Sequence, residues 1–398
     1  MENRSALFAS RTNWNLTPNP LSAALAERRA AGKAVLDLTA SNPTDCGFAY
    51  DAEAILAALQ NPAVLSYAPD SRGLLVAREA VCGYYAERGD RITPDNLVLT
   101  TSTSEAYSFV FRLLCDPDDE VLVPQPSYPL FDFLADLHDV KLVRYPLIYD
   151  HGWQIDCHAL REALTARTRS VIVVNPNNPT GNFCKAAEMA ELNDICAARG
   201  MAIIADEVFL DYSLLAEPPR SFVTNNSAPT FTMSGLSKIA GLPQFKASWL
   251  AVSGPPEWKR DALERLEVIA DTFLSMNAPV QHAIPKLLGL RAAFQRQLQA
   301  RVRQNLAELN RQLADQQPSI DTRGIAELEV EGGWYAVLTL PASCSSDEVT
   351  LRLLSEHGVY AHPGHFYEFA GDRALVVSLI TPPADFAAGV RRLVELAG

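Results

Sequence analysis

Apolar runs of the length of buried strands alternate with helix-length stretches through the middle of this chain. One unit reads SVIVVNP (170–176), AAEMAELNDICAARG (186–200) and MAIIAD (201–206). A strand that is apolar along its whole length is buried on both faces, and a helix between two such strands is typical of parallel pairing. The alternation extends from NLVLTT (96–101) to ASWLAVSG (247–254). We therefore predict an α/β fold whose large domain has a mainly parallel sheet of the seven-stranded type between helices.

The character of the sequence changes near Pro285. From that residue the pattern predicts a long, charged, amphipathic helix, followed by shorter units such as GGWYAVLTLP (332–341) and ALVVSLI (374–380). The chain has 398 residues, which is long enough for two hydrophobic cores. We expect an N-terminal arm and part of a small domain at 1–45, a large ligand-binding domain at 46–285, and a linking helix with the rest of a smaller α/β domain at 286–398.

The charge of the chain argues against several classes of partner. The formal net charge is -13 at pH 7, whereas a nucleic-acid or anionic membrane surface requires a basic face. No apolar run reaches the roughly 18 residues of a membrane span, and the N-terminus lacks a signal-peptide core. The 7 cysteines include no CxxC pair. We therefore expect no metal site, and a reducing compartment such as the cytoplasm.

Small hydroxyl and amide side chains follow two of the predicted strands. Ser102, Thr103 and Ser104 come after NLVLTT and begin a helix, where free backbone N–H groups favour an anion such as a phosphate. An ordinary helix N-cap is the simpler interpretation of this segment alone. Asn178 lies in NPNNPTGN (175–182), a turn that supplies amide groups after the second strand.

Two charged residues end the next two strands. Asp206 ends an apolar strand, where its carboxylate is costly unless a cation from a side chain or a ligand pairs with it. Lys238 follows PTFTMS in SGLSK (234–238), and a lysine that loses its proton forms Schiff bases with carbonyl compounds. The carboxyl ends of parallel strands meet at one edge of a sheet, so these groups predict a common site. The matching ligand has a phosphate, an aldehyde and a basic ring nitrogen, as in pyridoxal 5'-phosphate.

The ordered set NPNNPTG, ADEVF and SGLSK resembles the class I/II aminotransferases, the aspartate-aminotransferase-like group of fold type I pyridoxal-phosphate enzymes. The resemblance covers nearly the whole chain. It implies that Lys238 forms the Schiff base and moves the substrate proton, that Asp206 pairs with the pyridinium nitrogen, and that Tyr128 stacks on the ring. Further cofactor contacts are implied for Thr103, Ser104, Asn178, Ser237, Lys246 and Tyr67. Because Tyr67 matches a residue that reaches the partner's site, a homodimer with shared active sites is implied.

Three positions near the cofactor depart from the family pattern. Phe209 stands where a tyrosine is usual, so the ring oxygen loses a donor. Lys246 replaces an arginine that grips the phosphate, and a lysine offers a point charge rather than a planar fork. Ser41 replaces a glycine of the N-terminal motif.

A fourth departure concerns the substrate. Val376 stands where the family has the arginine that binds the α-carboxylate, and a buried carboxylate without a cation or several donors is costly. We therefore expect poor turnover of common α-amino acids. The preferred donor would be an amine, or an amino acid whose carboxylate is held by a relocated cation. The candidates for that cation are Arg11, Arg72 and His365, and Asn42 and Asn178 are candidates for additional amide donors.

The resemblance implies a cytoplasmic, biosynthetic aminotransferase that moves an amino group between a small-molecule donor and a 2-oxo acid. The cofactor motifs do not separate this activity from that of a pyridoxal-phosphate lyase or decarboxylase on the same fold, so that alternative stays open. A ligand-sensing transcription regulator is disfavoured, because the arm before residue 20 leaves no room for a DNA-binding segment and the charge is acidic.

Overall fold

The computed structural model describes residues 7–217, 219–274, 276–315 and 324–397. Its strands are β1 (Leu36–Asp37), β2 (Leu97–Thr100), β3 (Glu120–Gln125), β4 (Lys141–Tyr149), β5 (Trp153–Ile155), β6 (Thr168–Val174), β7 (Ala202–Asp206), β8 (Thr230–Gly235), β9 (Ser248–Ser253), β10 (Ala326–Glu327), β11 (Tyr335–Thr339), β12 (Val359–Tyr360), β13 (His362–Pro363) and β14 (Ala374–Ser378). Its α-helices are α1 (Pro20–Ala30), α2 (Ala52–Ala58), α3 (Leu75–Glu87), α4 (Thr103–Leu114), α5 (Leu130–Asp136), α6 (Cys157–Glu162), α7 (Ala186–Arg199), α8 (Leu236–Ile239), α9 (Pro256–Phe273), α10 (Ala278–Ala314), α11 (Ser346–His357) and α12 (Pro383–Ala397).

The largest sheet of the described chain has eight strands in the order β2-β9-β8-β7-β6-β3-β4-β5. The neighbours from β8 to β4 are parallel, while β9 is antiparallel to both β2 and β8. The predicted α/β class with a mainly parallel sheet is confirmed. The additional strand, β5, returns antiparallel to β4 after Gly152. With three residues, it is too short for a sequence pattern to reveal it.

Alternate side chains of the parallel strands enter two different hydrophobic cores. In β7, Ile204 packs in one cluster with Phe109 and Leu266 of α4 and α9, whereas Ile203 packs on the other face with Leu192 of α7. Both faces are thus covered by helices, which is why these strands read as unbroken apolar runs. The carboxylate of Asp206 lies where that apolar run ends.

The N- and C-terminal parts of the chain build a smaller unit together. Strand β1 pairs in parallel with β12, with Leu36 opposite Val359, and a four-stranded antiparallel sheet has the order β10-β11-β14-β13. Trp334, Leu375 and Phe386 are fully buried in its core. This arrangement agrees with the predicted smaller α/β domain from both terminal segments.

Helix α10 begins at Ala278 rather than at Pro285. The Asn277 side chain accepts a hydrogen bond from the Val280 backbone at 3.0 Å and so caps the helix, and Pro279 occupies its first turn. Pro285 lies inside the helix, although proline usually marks the start or end of one. The predicted start of this helix at Pro285 is therefore seven residues too late, while the domain boundary near it stays a prediction. Within the described ranges, no helix combines the length and apolarity needed to cross a membrane.

Candidate active site

A cleft of about 450 Å³ lies at the carboxyl ends of β6, β7 and β8 and at the N-terminus of α4. The polar residues that follow these strands line its floor, and residues of the small unit line the facing wall. Seven of the nine predicted site residues are brought together here: Thr103, Ser104, Tyr128, Asn178, Asp206, Ser237 and Lys238.

Lys238 lies in the short helix α8, directly after β8. The turn into this helix requires a close approach, because a Cβ atom on Gly235 would lie 2.3 Å from Ser248 Oγ. The Tyr212 hydroxyl donates a hydrogen bond to the Lys238 carbonyl, and Gln295 Nε2 donates one to the Ile239 carbonyl at 3.0 Å. The backbone that carries the amine is therefore fixed from two sides.

The Lys238 amine is surrounded mainly by aromatic rings. Its Nζ atom lies 4.8 Å from the Trp334 ring centroid and 5.5 Å from that of Phe209. Burial lowers the pKa of Lys238 from its ordinary 10.5 to about 8, against the smaller opposing influence of Asp206. A substantial neutral fraction is therefore present slightly above neutral pH, and a neutral amine is the nucleophilic form.

Asp206 is buried at the end of β7. Its Oδ2 accepts a hydrogen bond from the Tyr107 hydroxyl at 3.2 Å, and its Oδ1 accepts one from the Val208 N–H at 3.2 Å. Burial raises the pKa of Asp206 to about 6, although both hydrogen bonds and Lys238 favour the carboxylate. Of the two expected sources of a cation, a side chain is not found, because no lysine, arginine or histidine of the described chain lies within 4.0 Å of this carboxylate. A cationic ligand remains the candidate partner.

Tyr128 and Asn178 also line the cleft. Tyr128 is 44% exposed, and partial burial together with the Asp206 charge raises the pKa of its hydroxyl. Asn178 is buried, and its Oδ1 has no hydrogen-bond partner among the described residues. The amide oxygen and nitrogen can exchange places by a flip of the side chain. This amide can therefore either accept a hydrogen bond from a ligand or donate one to it.

Hydroxyl groups collect at the N-terminus of α4. Ser102 caps the helix by accepting a hydrogen bond from the Glu105 backbone at 3.1 Å, while the Glu105 carboxylate accepts one from the Thr101 backbone at 2.7 Å. The following Thr103 and Ser104 thus begin the helix with N–H groups that have no intrahelical acceptor. Ser237 and Ser248 complete the cluster from the opposite side of the cleft. Several hydroxyls beside a helix N-terminus form a suitable phosphate site.

Two predicted site residues lie elsewhere. Lys246 is exposed and is not among the residues that line the cleft, although Ser248 two positions later is. Tyr67 is 83% exposed and lies in a separate surface hollow with Leu74, Leu274 and Gln281. Their phosphate contacts stay predictions.

The small unit contributes residues that the sequence did not single out. Tyr335, His362, Phe366 and Tyr367 line the wall that faces Lys238. Three of them belong to the run HPGHFY (362–367), in which only His365 was a predicted candidate. His365 itself pairs with Asp347 at 2.8 Å and does not line the cleft. The part of the chain that the structure describes contains no group of three or more His, Cys, Asp and Glu side chains suited to a metal ion.

Val376 lies on β14 and is buried. Most of the groups that were expected to hold the carboxylate are engaged elsewhere, whereas Asn178 lines the cleft. Arg11 pairs with Asp139 at 2.7 Å, and Arg72 pairs with Glu267 at 2.5 Å. The Asn42 side-chain amide donates a hydrogen bond to Asp45 at 2.8 Å. These three residues, like His365, do not line the cleft of this chain.

Comparisons with known proteins agree with this geometry. The glutamate-pyruvate aminotransferase AlaA of Escherichia coli K12 is 33% identical over 263 residues, which are 65% of this chain and 64% of that protein. The alanine aminotransferase of Mycobacterium tuberculosis H37Rv is 32% identical over 272 residues, or 66% of this chain and 62% of that protein. The chain thus matches slightly less than two thirds of the length of these relatives.

Solved structures match over almost the full chain. An alanine aminotransferase from Pyrococcus furiosus superposes with a TM-score of 0.82 at 25% identity, covering 94% of this chain and 95% of that one. An aminotransferase from Escherichia coli superposes with a TM-score of 0.83 at 24% identity, covering 98% of this chain and 97% of that one. This similarity supports the fold. The family described as "Aminotransferase class I and II" matches residues 33–385. The chain therefore belongs to the class I and II aminotransferases.

Proposed function

We propose that this protein is a pyridoxal-phosphate-dependent aminotransferase that acts on an amino donor and a 2-oxo acid. The observation that carries the proposal is one cleft that contains both a lysine with a lowered pKa and a buried aspartate without a cationic partner among the described residues. Relatives named as glutamate-pyruvate and alanine aminotransferases support the same reaction class.

Members of this family use pyridoxal 5'-phosphate, and the residues of the cleft fit it. Lys238 Nζ would hold its aldehyde carbon, and Asp206 would face its ring nitrogen. The Asn178 amide has an unsatisfied polar atom for the ring hydroxyl, and Thr103, Ser104 and the neighbouring serines would hold the phosphate. When bound, the cofactor supplies a ring that accepts electrons from the substrate's α-carbon.

The chain's own residues then have distinct tasks. Asp206 stays ionised above a pH of about 6 and so keeps a proton on a group that faces it. Lys238, with a pKa of about 8, is matched to take and return a proton near neutral pH. Tyr128 offers its ring face at the mouth of the cleft and limits how a planar group lies between the two units.

Lys246 is proposed to reach the phosphate from the rim. No hydrogen bond or ion pair to a described residue engages its side chain, and the long, flexible stem begins two residues before Ser248 of the cleft. The amine is therefore available to an anion in the cleft.

We further propose a homodimer with shared sites. Tyr67 and Leu65 are 83% and 88% exposed, and Leu56 is 61% exposed on the preceding helix, α2. Large apolar side chains that are exposed together favour a partner surface, and a second copy is the partner implied by Tyr67. A cytoplasmic location is proposed because all 7 cysteines are free thiols.

The test is a single-turnover experiment on the purified protein. The cofactor-loaded protein is mixed with one amino compound at a time, and the visible absorbance and the 2-oxo acid product are followed. We expect loss of the visible band, recovery of the band on adding a 2-oxo acid, and no turnover in Lys238→Ala. Release of ammonia without an acceptor would instead identify a lyase, and unchanged turnover in Lys238→Ala would refute the assignment.

A further inference from the structure

The wall opposite Lys238 is built on one face of the small antiparallel sheet. In β13 and β14, His362 lies directly opposite Val376, and Val376 in turn lies opposite Val337 of β11. Directly opposed residues of antiparallel strands point to the same face. His362 lines the cleft while Val376 is buried beside it. The histidine is therefore the cleft-lining polar residue that lies directly beside Val376 in the sheet, and Tyr335 lies on the same face two residues from Val337.

One ring nitrogen of His362 is already engaged. Nδ1 lies 3.1 Å from the Tyr367 hydroxyl, and burial holds the pKa of that hydroxyl well above its usual range. The hydroxyl is thus protonated and has no other hydrogen-bond partner among the described residues, so we assign it as the donor to Nδ1. A neutral imidazole that accepts at Nδ1 carries its proton on Nε2. In this assignment Tyr367 holds the Nε2–H tautomer.

The Nε2–H group has no hydrogen-bond partner in the described part of the chain, and His362 faces the cleft. Water can satisfy this donor while the cleft is open. A substrate that fills the cleft displaces that water, and a buried donor without an acceptor costs about 1–3 kcal/mol. The substrate must therefore present an acceptor at this point.

Other cations are absent from this wall as the structure describes it. Lys238 is the one lysine or arginine among the described residues that line the cleft, and its amine is the group proposed to hold the cofactor. The neighbours of His362 are the rings of Tyr360, Phe366 and Tyr367, and Asp37 is the charged group that acts on it.

We propose that His362, held by Tyr367, binds the acidic group of the amino-acid substrate in place of an arginine. This inference rests on the proposed transamination, since it names the group that recognises the donor and the 2-oxo acid. A single imidazole offers one hydrogen bond where an arginine offers two parallel ones. Carboxylate substrates are therefore held more weakly than by an arginine, and by a group whose charge depends on pH.

The pH dependence follows from the surroundings of the ring. Burial lowers the pKa of His362 to about 4, against the weaker opposing influence of Asp37, so the free ring is neutral at pH 7. A bound carboxylate favours the imidazolium and raises this pKa. Affinity for a carboxylate should therefore increase as the pH falls toward about 4 and should level off at higher pH.

The test uses propionate, an unreactive carboxylate, with the cofactor-loaded protein. Its dissociation constant is measured by calorimetry at about pH 8 and about pH 6. We expect His362→Leu to weaken binding about tenfold to hundredfold at the lower pH. His362→Gln keeps a neutral donor, so it should retain part of the affinity but lose the pH dependence that the imidazole contributes. His365→Gln, three residues away and outside the cleft, is the matched control and should behave as the wild type.

A second measurement separates recognition from chemistry. L-Alanine and isopropylamine differ by a carboxylate in place of a methyl group. Replacing His362 by leucine should lower kcat/KM for alanine but should not lower that for isopropylamine, because isopropylamine offers no acceptor to the imidazole. Propionate binding that is absent in the wild type, or equal in wild type and His362→Leu, would overturn the inference. Failure of the proposed function would instead appear as no conversion of any amino donor by the wild type.

Discussion

Replacing Lys238 by methionine should stabilise the cofactor-free protein by about 2–3 kcal/mol at pH 7. Burial lowers the pKa of Lys238 from 10.5 to about 8, and each pKa unit corresponds to about 1.36 kcal/mol. The full difference is roughly 3 kcal/mol, and water in the open cleft screens part of it. Methionine has a similar length and fills the same aromatic surroundings without a charge.

The size of this stabilisation decreases with rising pH in a defined way. A lysine whose pKa is lowered by folding binds its proton less tightly in the native state, so the cost is fully present below about pH 8 and disappears as the pH approaches 10.5. The gain from Lys238→Met should follow the same course. Lys246→Met is the matched control, because the Lys246 side chain is exposed and should give no gain.

Thermal melting of the cofactor-free protein is the assay. With roughly 2.1 cal/mol/K of unfolding entropy per residue, 2–3 kcal/mol corresponds to a rise in Tm of about 3 °C for this chain. The rise should be seen at pH 7 and should be lost near pH 10.5. A Lys238→Met protein that melts with the wild type at pH 7, or whose gain persists at the higher pH, would show that the amine carries no burial cost.

Three further changes probe the cofactor site and the proposed dimer. Tyr107→Phe removes a hydrogen-bond donor from Asp206, so the pKa of that carboxyl should rise above about 6. In cofactor titrations between about pH 5 and pH 8, the loss of affinity on acidification should then occur about one pH unit higher. Lys246→Ala should weaken cofactor binding about tenfold with little effect on turnover at saturating cofactor; an unchanged titration would place this lysine away from the phosphate. Mixing Lys238→Ala with Tyr67→Phe chains should restore some wild-type sites in heterodimers, whereas a fully active monomer at low concentration would contradict shared sites.

The large domain could be predicted because its signals are local. The apolar runs of β6, β7 and β8 are buried on both faces, so each strand is visible in the sequence alone. The carboxyl ends of parallel strands share one edge, and this rule was sufficient to bring Asn178, Asp206 and Lys238 together. The same reasoning could not reveal β5, whose three residues are defined by pairing with β4.

The facing wall could not be predicted because its signals are not local. His362 belongs to a strand of two residues, and only the pairing with β14 determines which way its ring points. Tyr107 lies on the buried face of α4 among Phe109, Val110 and Phe111, where a tyrosine is indistinguishable from an ordinary core residue. Its hydroxyl reaches Asp206 because α4 crosses the end of β7. The periodicity of the sequence does not show where a helix crosses a strand.

The cleft contains two oppositely charged side chains, Asp206 and Lys238, that form no direct ion pair with each other. At neutral pH Asp206 is mainly ionised and Lys238 mainly protonated, yet burial opposes both charged forms and no direct ion pair joins them. A direct pair would have relieved both costs but would have occupied the two groups that a ligand needs. Instead the Tyr107 hydroxyl and the Val208 N–H hold the carboxylate, and aromatic rings surround the amine. The fold thus leaves both groups free at a cost in stability. Such a cost is offset only when a ligand presents a cation to the carboxylate and a carbonyl to the amine.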